Sequence, residues 1–221
     1  ETSGTKSKEL TVTYTILPAK DSNGNYSSIE TPVNVSLGMN FSKIETNISK
    51  TNYTVSGTTI TEVPTIEQNG SDTLIIPSKF AGDSTTYTSY TVTENFSKYK
   101  KVILLDGITQ VGSYFSYQET TPVTSFAMPN SVTEWGIYTF SSCKNLKFVN
   151  ISSGLTALDG ECKLAYVGAK AIRIPKSIKS LHGRTFDADN NLNVLYYEGT
   201  IAEWNSITNS NDLSGTSGNA I

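Results

Sequence analysis

A mostly β solenoid of short stacked coils, with a small β-rich element ahead of it, is the fold class this sequence predicts. The first observation is a pattern that recurs. Phe126, Met128, Pro129, Val132 and Trp135 are answered twenty-three residues later by Val149, Ile151 and Leu155. A further twenty-three on come Ile172, Ile174, Pro175, Ile178 and Leu181, with Phe186 matching Phe140. Upstream, Val102, Leu104, Ile108, Val111 and Gly112 fit at a step of twenty-four. A period in the low twenties marks a solenoid, whose units are too small to hold a core alone and must stack on their neighbours. The second observation is composition. Thr, Ser, Asn, Gly and Tyr are abundant and Ala and Leu modest, which favours strands and turns over helices.

Residues 1–50 form the small N-terminal β-rich element. Glu1 to Glu9 are small and polar, as expected of a mature or trimmed chain. From Leu10 to Leu17, Val12, Tyr14 and Ile16 alternate with threonines, the period of a half-buried strand. Asp21 to Asn25 is turn chemistry, and Ile29 to Leu37 is the returning strand, with Pro32 marking an edge or a bulge. Phe41, Ile44 and Ile48 have the spacing of a short helix within Met39 to Ser49.

The solenoid occupies residues 51–208. Tyr53 to Ile60 reads as a hairpin around Ser56 and Gly57, placed to seal its first end. Leu74 to Pro77 has the form of a repeat strand, and the long stretch to Lys100 is an insertion with a small extra strand or hairpin at Thr85 to Val92. Within each unit, two apolar residues two apart point to one side of a strand. The proline ends it, because it lacks a ladder N–H. Val132 and Trp135 then turn inward, Phe140 and Phe186 close the layer, and Cys143 and Leu146 line the return. Gly112 and Gly136, and one place later Gly160 and Gly183, are expected to take backbone angles closed to other residues. Leu195 and Tyr197 continue the strand positions. Ile201, Trp204 and Ile207 then fold one helical turn over the open end, and 209–221 is a loose Ser/Asn/Gly-rich tail.

Bulk charge narrows the function. Charged residues make up 17% and the net charge is −3, so nucleic acid has no electrostatic footprint. Lys98, Lys100 and Lys101 read as a solvated strand edge. No apolar run is long enough to span a bilayer. Eight Asn-x-Ser/Thr triplets are mostly the product of composition. Cys143 and Cys162 lie in adjacent units at non-equivalent positions; they form a disulfide or, more commonly for such pairs, are buried thiols. Without a companion histidine they make no closed zinc site. His182, the only histidine, belongs to a surface turn. Asp187 to Asn191 lacks the glycine and distal glutamate of a calcium loop. No phosphate loop, nucleophile elbow or zinc-protease motif is present. No catalytic residue, cofactor site or metal site is therefore assigned.

The outward side of the strands is the better candidate. With Phe126 and Met128 inward, the outward ladder runs Ile103, Ala127, Asn150, Arg173 and Tyr196. Beside it run Lys101, Ser125, Phe148, Ala171 and Val194. Phe148, Arg173 and Tyr196, with Asn150 and Lys101, form the candidate binding face, since aromatic residues beside arginine are enriched at binding hot spots.

Pro129 to Leu146, P-N-S-V-T-E-W-G-I-Y-T-F-S-S-C-K-N-L, resembles the repeat of BspA-like leucine-rich repeat proteins, I-P-x-S-V-T-x-I-G-x-x-A-F-x-x-C-x-x-L. Ile174 to Leu181 matches the same text, and Tyr196 to Asn205 resembles that family's usual C-terminal ending. The resemblance covers residues 53–207. It departs most at Phe148 to Ala169, which lacks the proline and the A-F-x-x-C segment. It implies a right-handed leucine-rich repeat solenoid with short strands and irregular or short helical returns. It also implies a secreted or surface-anchored protein of host-associated bacteria, with adhesive members. Together these readings predict a non-enzymatic extracellular or cell-surface binding protein whose partner is a protein or glycan on host or neighbouring cells. The alternatives are a structural spacer and a glycan-binding accessory module of a larger surface protein.

Overall fold

The computed structural model describes residues 8–14, 33–39, 48–91, 93–112, 121–160, 163–186, 192 and 194–208. The chain divides into two compact units, Glu1–Glu45 and Thr46–Ile221. In the first, β1 (Lys8–Tyr14) and β2 (Val33–Met39) pair antiparallel, from Lys8 opposite Met39 to Tyr14 opposite Val33. Both strands agree with the alternating pattern, shifted by a few residues. The helix expected over 39–49 falls mostly outside the described residues; Met39 ends β2, and Ile48 and Ser49 are not helical.

The second unit is a solenoid with two rows of parallel strands. The hairpin β3 (Thr54–Ser56) and β4 (Thr59–Glu62) opens it, turning at Gly57 with a left-handed φ of 57°. Helix α1 (Ile66–Asn69) follows, then β5 (Thr73–Ile76), β6 (Ser89–Tyr90), helix α2 (Glu94–Ser97), β7 (Lys101–Leu104) and β8 (Gln110–Val111). The chain continues through β9 (Ser125–Ala127), β10 (Glu134–Trp135), β11 (Phe148–Val149), β12 (Ala157–Leu158), β13 (Ala171–Ile174), β14 (Ser180–Leu181), β15 (Val194–Tyr197) and helix α3 (Ile201–Asn205). The first row comprises β5, β7, β9 and β11 in one parallel sheet, and β13 with β15. The second comprises β4 with β6, β8 with β10, and β12 with β14, all parallel. Thr109 N–H donates to Thr88 O at 2.8 Å and so links β6 to the coil of β8.

Equivalent apolar residues form continuous columns, as the spacing predicts. Leu74, Val102, Phe126, Val149 and Ile172 are buried in one; Ile76, Leu104, Met128, Ile151 and Ile174 in the next. Ile108, Val132, Leu155 and Ile178 fill the first corner, and Val111, Trp135, Leu158 and Leu181 point inward from the second row. Removing these faces from water is the main stabilising term.

The coil over 148–169 keeps its place in the stack despite its divergent sequence. Phe140 N–H donates to Lys163 O and Leu164 N–H to Thr185 O, both at 2.9 Å. Leu164 is therefore the counterpart of Phe140 and Phe186, and all three are buried. Left-handed backbone occurs at Gly160 (φ 95°), as expected, and at Gly107 (φ 99°) rather than at Gly136. Tyr138, Ser142 and Tyr166 adopt it without glycine.

Both ends are sealed. At the first, Thr65 and Gln68 cap α1 reciprocally, so a four-residue helix persists at a point with no apolar periodicity to announce it. Tyr53 packs on Phe80 with ring centroids 4.9 Å apart, and Tyr90 stacks on Phe96 at 5.1 Å. The free edge of β5 is blocked: Asn69 Nδ2 donates to Thr73 O at 2.9 Å and Tyr53 Oη to Ile75 O at 2.8 Å. At the other end, Trp204 of α3 lies on Tyr197 at 5.3 Å, and Trp204 and Ile207 are buried. Ile201 does not join them. It is 66% exposed, because a helix of five residues turns only one side to the core and Ile201 starts on the other.

Candidate functional site

Strand register brings the outward residues into line. Lys101 lies beside Ser125, which lies beside Phe148; Ile103 lies beside Ala127. Across the last pair of strands, Ala171 faces Val194 and Arg173 faces Tyr196. Neighbouring strands are about 4.8 Å apart, so each row is a ladder of closely spaced side chains.

Three of the five predicted residues come together. Asn150 follows β11, Arg173 sits in β13 and Tyr196 in β15, with Tyr196 52% exposed. The Arg173 guanidinium joins all three coils. Nε donates to Glu198 Oε1 at 2.9 Å, Nη2 donates to the same oxygen, and Nη1 donates to Asn150 Oδ1 at 3.1 Å. Asn150 Nδ2 in turn donates to Met128 O at 3.3 Å. Arg173 is thus a fixed strut with its charge balanced. Glu198 is the residue that sequence reasoning missed. Its signal was its place two residues after Tyr196, which gives it the same outward direction. An exposed pair of this kind adds only about 0–1 kcal/mol to stability, so its main consequence is orientation. Lys101 stands apart, exposed on β7 two strands away from β11. Phe148 has its backbone in β11, and its side chain lies outside the described residues.

This arrangement presents a phenol face, a guanidinium, an amide and a carboxylate in a fixed array. Such a surface supports stacking and directional hydrogen bonds, and contains no nucleophile paired with a base. His182 is tied into its turn, its Nδ1 accepting from Arg184 N–H at 3.1 Å. Cys143 is buried, and Cys162 and the 187–191 segment lie outside the described residues. Among the described residues, no group of three His, Cys, Asp or Glu side chains could hold a metal ion. No described helix is long and apolar enough to cross a membrane.

Two ionisable clusters have structural roles. Lys50 Nζ donates to Asp83 Oδ2 at 2.8 Å and to Tyr87 Oη at 2.9 Å, and Tyr87 Oη donates to Asp83 Oδ2 at 2.7 Å. The Lys50 bond, then the Thr85 backbone N–H and the Tyr87 hydroxyl, hold the Asp83 carboxyl well below the usual range. Lys163 is buried, with Nζ donating to Trp135 O at 2.8 Å. It holds the previous coil as Thr185 does through Leu158 O at 3.1 Å. Burial lowers the Lys163 pKa, and Asp159 partly opposes that.

Comparison with known proteins agrees with this architecture. The BspA type leucine rich repeat region matches residues 74–210 in six copies. The T. pallidum leucine rich repeat protein TpLRR is 16% identical, with a TM-score of 0.52 over 65% of this chain and 66% of that one. A leucine rich cell surface protein of Faecalibacterium prausnitzii A2-165 is 19% identical, with a TM-score of 0.45 over 62% of this chain and 50% of that one. The pneumococcal vaccine antigen PcpA is 21% identical, with a TM-score of 0.47 over 68% of this chain and 49% of that one. The chain spans about half the length of the last two. At 16% identity the likeness to TpLRR is one of fold. No curated protein matches the chain.

Proposed function

The chain belongs to the BspA-type leucine rich repeat family, and from that premise we propose a non-enzymatic binding module acting at the cell surface or outside the cell. Its work is adhesion or protein–protein contact through the outward face of the first strand row. One observation carries this reading: Asn150, Arg173 and Glu198 are locked together beside a half-exposed Tyr196. Binding surfaces benefit from such prior ordering, because less side-chain entropy is lost on contact. Aromatic and arginine side chains are also the residues most often found at binding hot spots. The matching structure of a leucine rich cell surface protein is consistent with placement at a surface.

The test is a screen against host matrix proteins and a glycan array, followed by the Arg173→Ala/Tyr196→Ala variant. Saturable binding that weakens at least tenfold in the variant, with an unchanged circular dichroism spectrum, supports the reading. Unchanged affinity removes this face as the site. A structural spacer would return nothing saturable.

A further inference from the structure

Beside the aromatic face the solenoid carries a line of ammonium groups. Lys147 N–H donates to Thr124 O at 2.9 Å, and Thr124 N–H donates to Lys100 O at 2.7 Å. These residues therefore occupy the same place in consecutive coils. The 23-residue step adds Lys170 to that column, and Lys101 starts the adjacent one beside Ser125. Lys100, Lys101, Lys147 and Lys170 are all exposed. Lys100 is partly balanced by Asp72 at 3.6 Å. Lys101, Lys147 and Lys170 form no ion pair among the described residues. Cations with no local partner are thus aligned along the axis of a chain whose net charge is −3.

We propose that this corner binds an extended anionic polysaccharide laid along the solenoid axis; the proposal rests on the binding-module reading and names its ligand class. Charge complementarity selects an anion. The repeat selects a polymer: the strand spacing of about 4.8 Å is close to the advance of one sugar ring along an extended chain. Successive acidic sugars can then meet successive coils, with Thr124 and Ser125 offering hydroxyls between the charges. Lysine suits this task as a point charge on a flexible stem, whereas planar two-point recognition of phosphate favours arginine. The overall negative charge of the chain opposes long-range capture of nucleic acid.

The experiment measures binding of the full chain to a heparin dodecasaccharide, to polygalacturonate, to neutral dextran and to single-stranded DNA at several salt concentrations. The expected result is saturable binding to the sulfated or the carboxylated chain, none to dextran, and weaker binding to DNA. Affinity should fall with salt with a log–log slope of about −2. Lys101→Gln/Lys147→Gln/Lys170→Gln should lose about tenfold in affinity, and Lys79→Gln/Lys176→Gln/Lys179→Gln, which removes equal charge elsewhere, should not. The proposal is overturned by absence of binding to both acidic chains, by equal loss in the two triple variants, or by DNA binding as tightly. A ligand lost in Arg173→Ala/Tyr196→Ala but retained in the Lys101/Lys147/Lys170 variant would leave the face in place and remove the stripe.

Discussion

Gly168→Ala probes the stacking of the coils with a single methyl group. Gly168 N–H donates to Cys143 O at 3.1 Å, so this backbone crosses close over the preceding coil. A Cβ on Gly168 would fall 2.7 Å from the Lys144 carbonyl carbon and closer still to its oxygen. Both are backbone atoms held by their own coil, so no side chain can swing aside. Relief requires the coils to part by roughly the overlap, about 1 Å, at a cost on the order of 3 kcal/mol from overpacking. Loss of the Cys143 hydrogen bond adds about 1 kcal/mol. For a unit of this size, 1 kcal/mol moves Tm by about 2–4 °C, so thermal unfolding followed by circular dichroism should drop by about 10 °C. Gly57→Ala is the control. Its φ is +57° and nothing lies within 4 Å of the added methyl, so only left-handed strain of about 1 kcal/mol applies. Equal, small shifts in the two variants would refute the close-approach argument.

Other consequences follow from the ends of the solenoid. Because Asp83 has its pKa depressed by Lys50, Thr85 and Tyr87, the unfolded chain binds more protons once pH falls below the ordinary aspartate range of about 3.9. The stabilisation is complete above that range and is lost as pH falls through the depressed folded value; Asp83→Asn should flatten this acid limb in melts between pH 7 and 2.5, and an unchanged limb would place the acid sensitivity elsewhere. Tyr53→Phe combined with Asn69→Ala frees two carbonyls on the β5 edge, so light scattering should detect concentration-dependent association through the exposed edge. A strictly monomeric variant would show that the edge needs no such block. Trp204→Ala should cost about 3–5 kcal/mol by uncovering the last coil, whereas Ile201→Ala, at an exposed position, should stay within about 0.5 kcal/mol in chemical denaturation.

The apolar columns were legible because each occupant, from Val102 to Leu181, recurs at a step of 23 or 24 residues and is buried where the spacing puts it, and Leu74 and Ile76 join them through the form of their strand despite the insertion that follows. The 148–169 coil was harder to read. Leu164 takes the place of phenylalanine, and a lysine does the work of a threonine. Those substitutions keep a buried apolar side chain and a hydrogen bond to the previous coil but erase the text of the motif. Helices α1 and α2 are four residues each and rest on N-terminal caps at Thr65 and Thr93, which is too short for a helical period to emerge. At the candidate face, the outward ladder followed from period-two alternation. The Arg173–Glu198 pair did not, because it depends on register between coils that are 25 residues apart in sequence.

Amide hydrogen exchange resolved by residue tests the stacked-coil account most directly. The N–H groups of Leu105, Thr124, Thr133, Lys147, Asn150 and Lys179 each donate to the neighbouring coil. They should share slow exchange, recurring down the chain at the coil spacing. Fast exchange at these positions, with protection scattered over the loops between them, would contradict a solenoid held together coil upon coil.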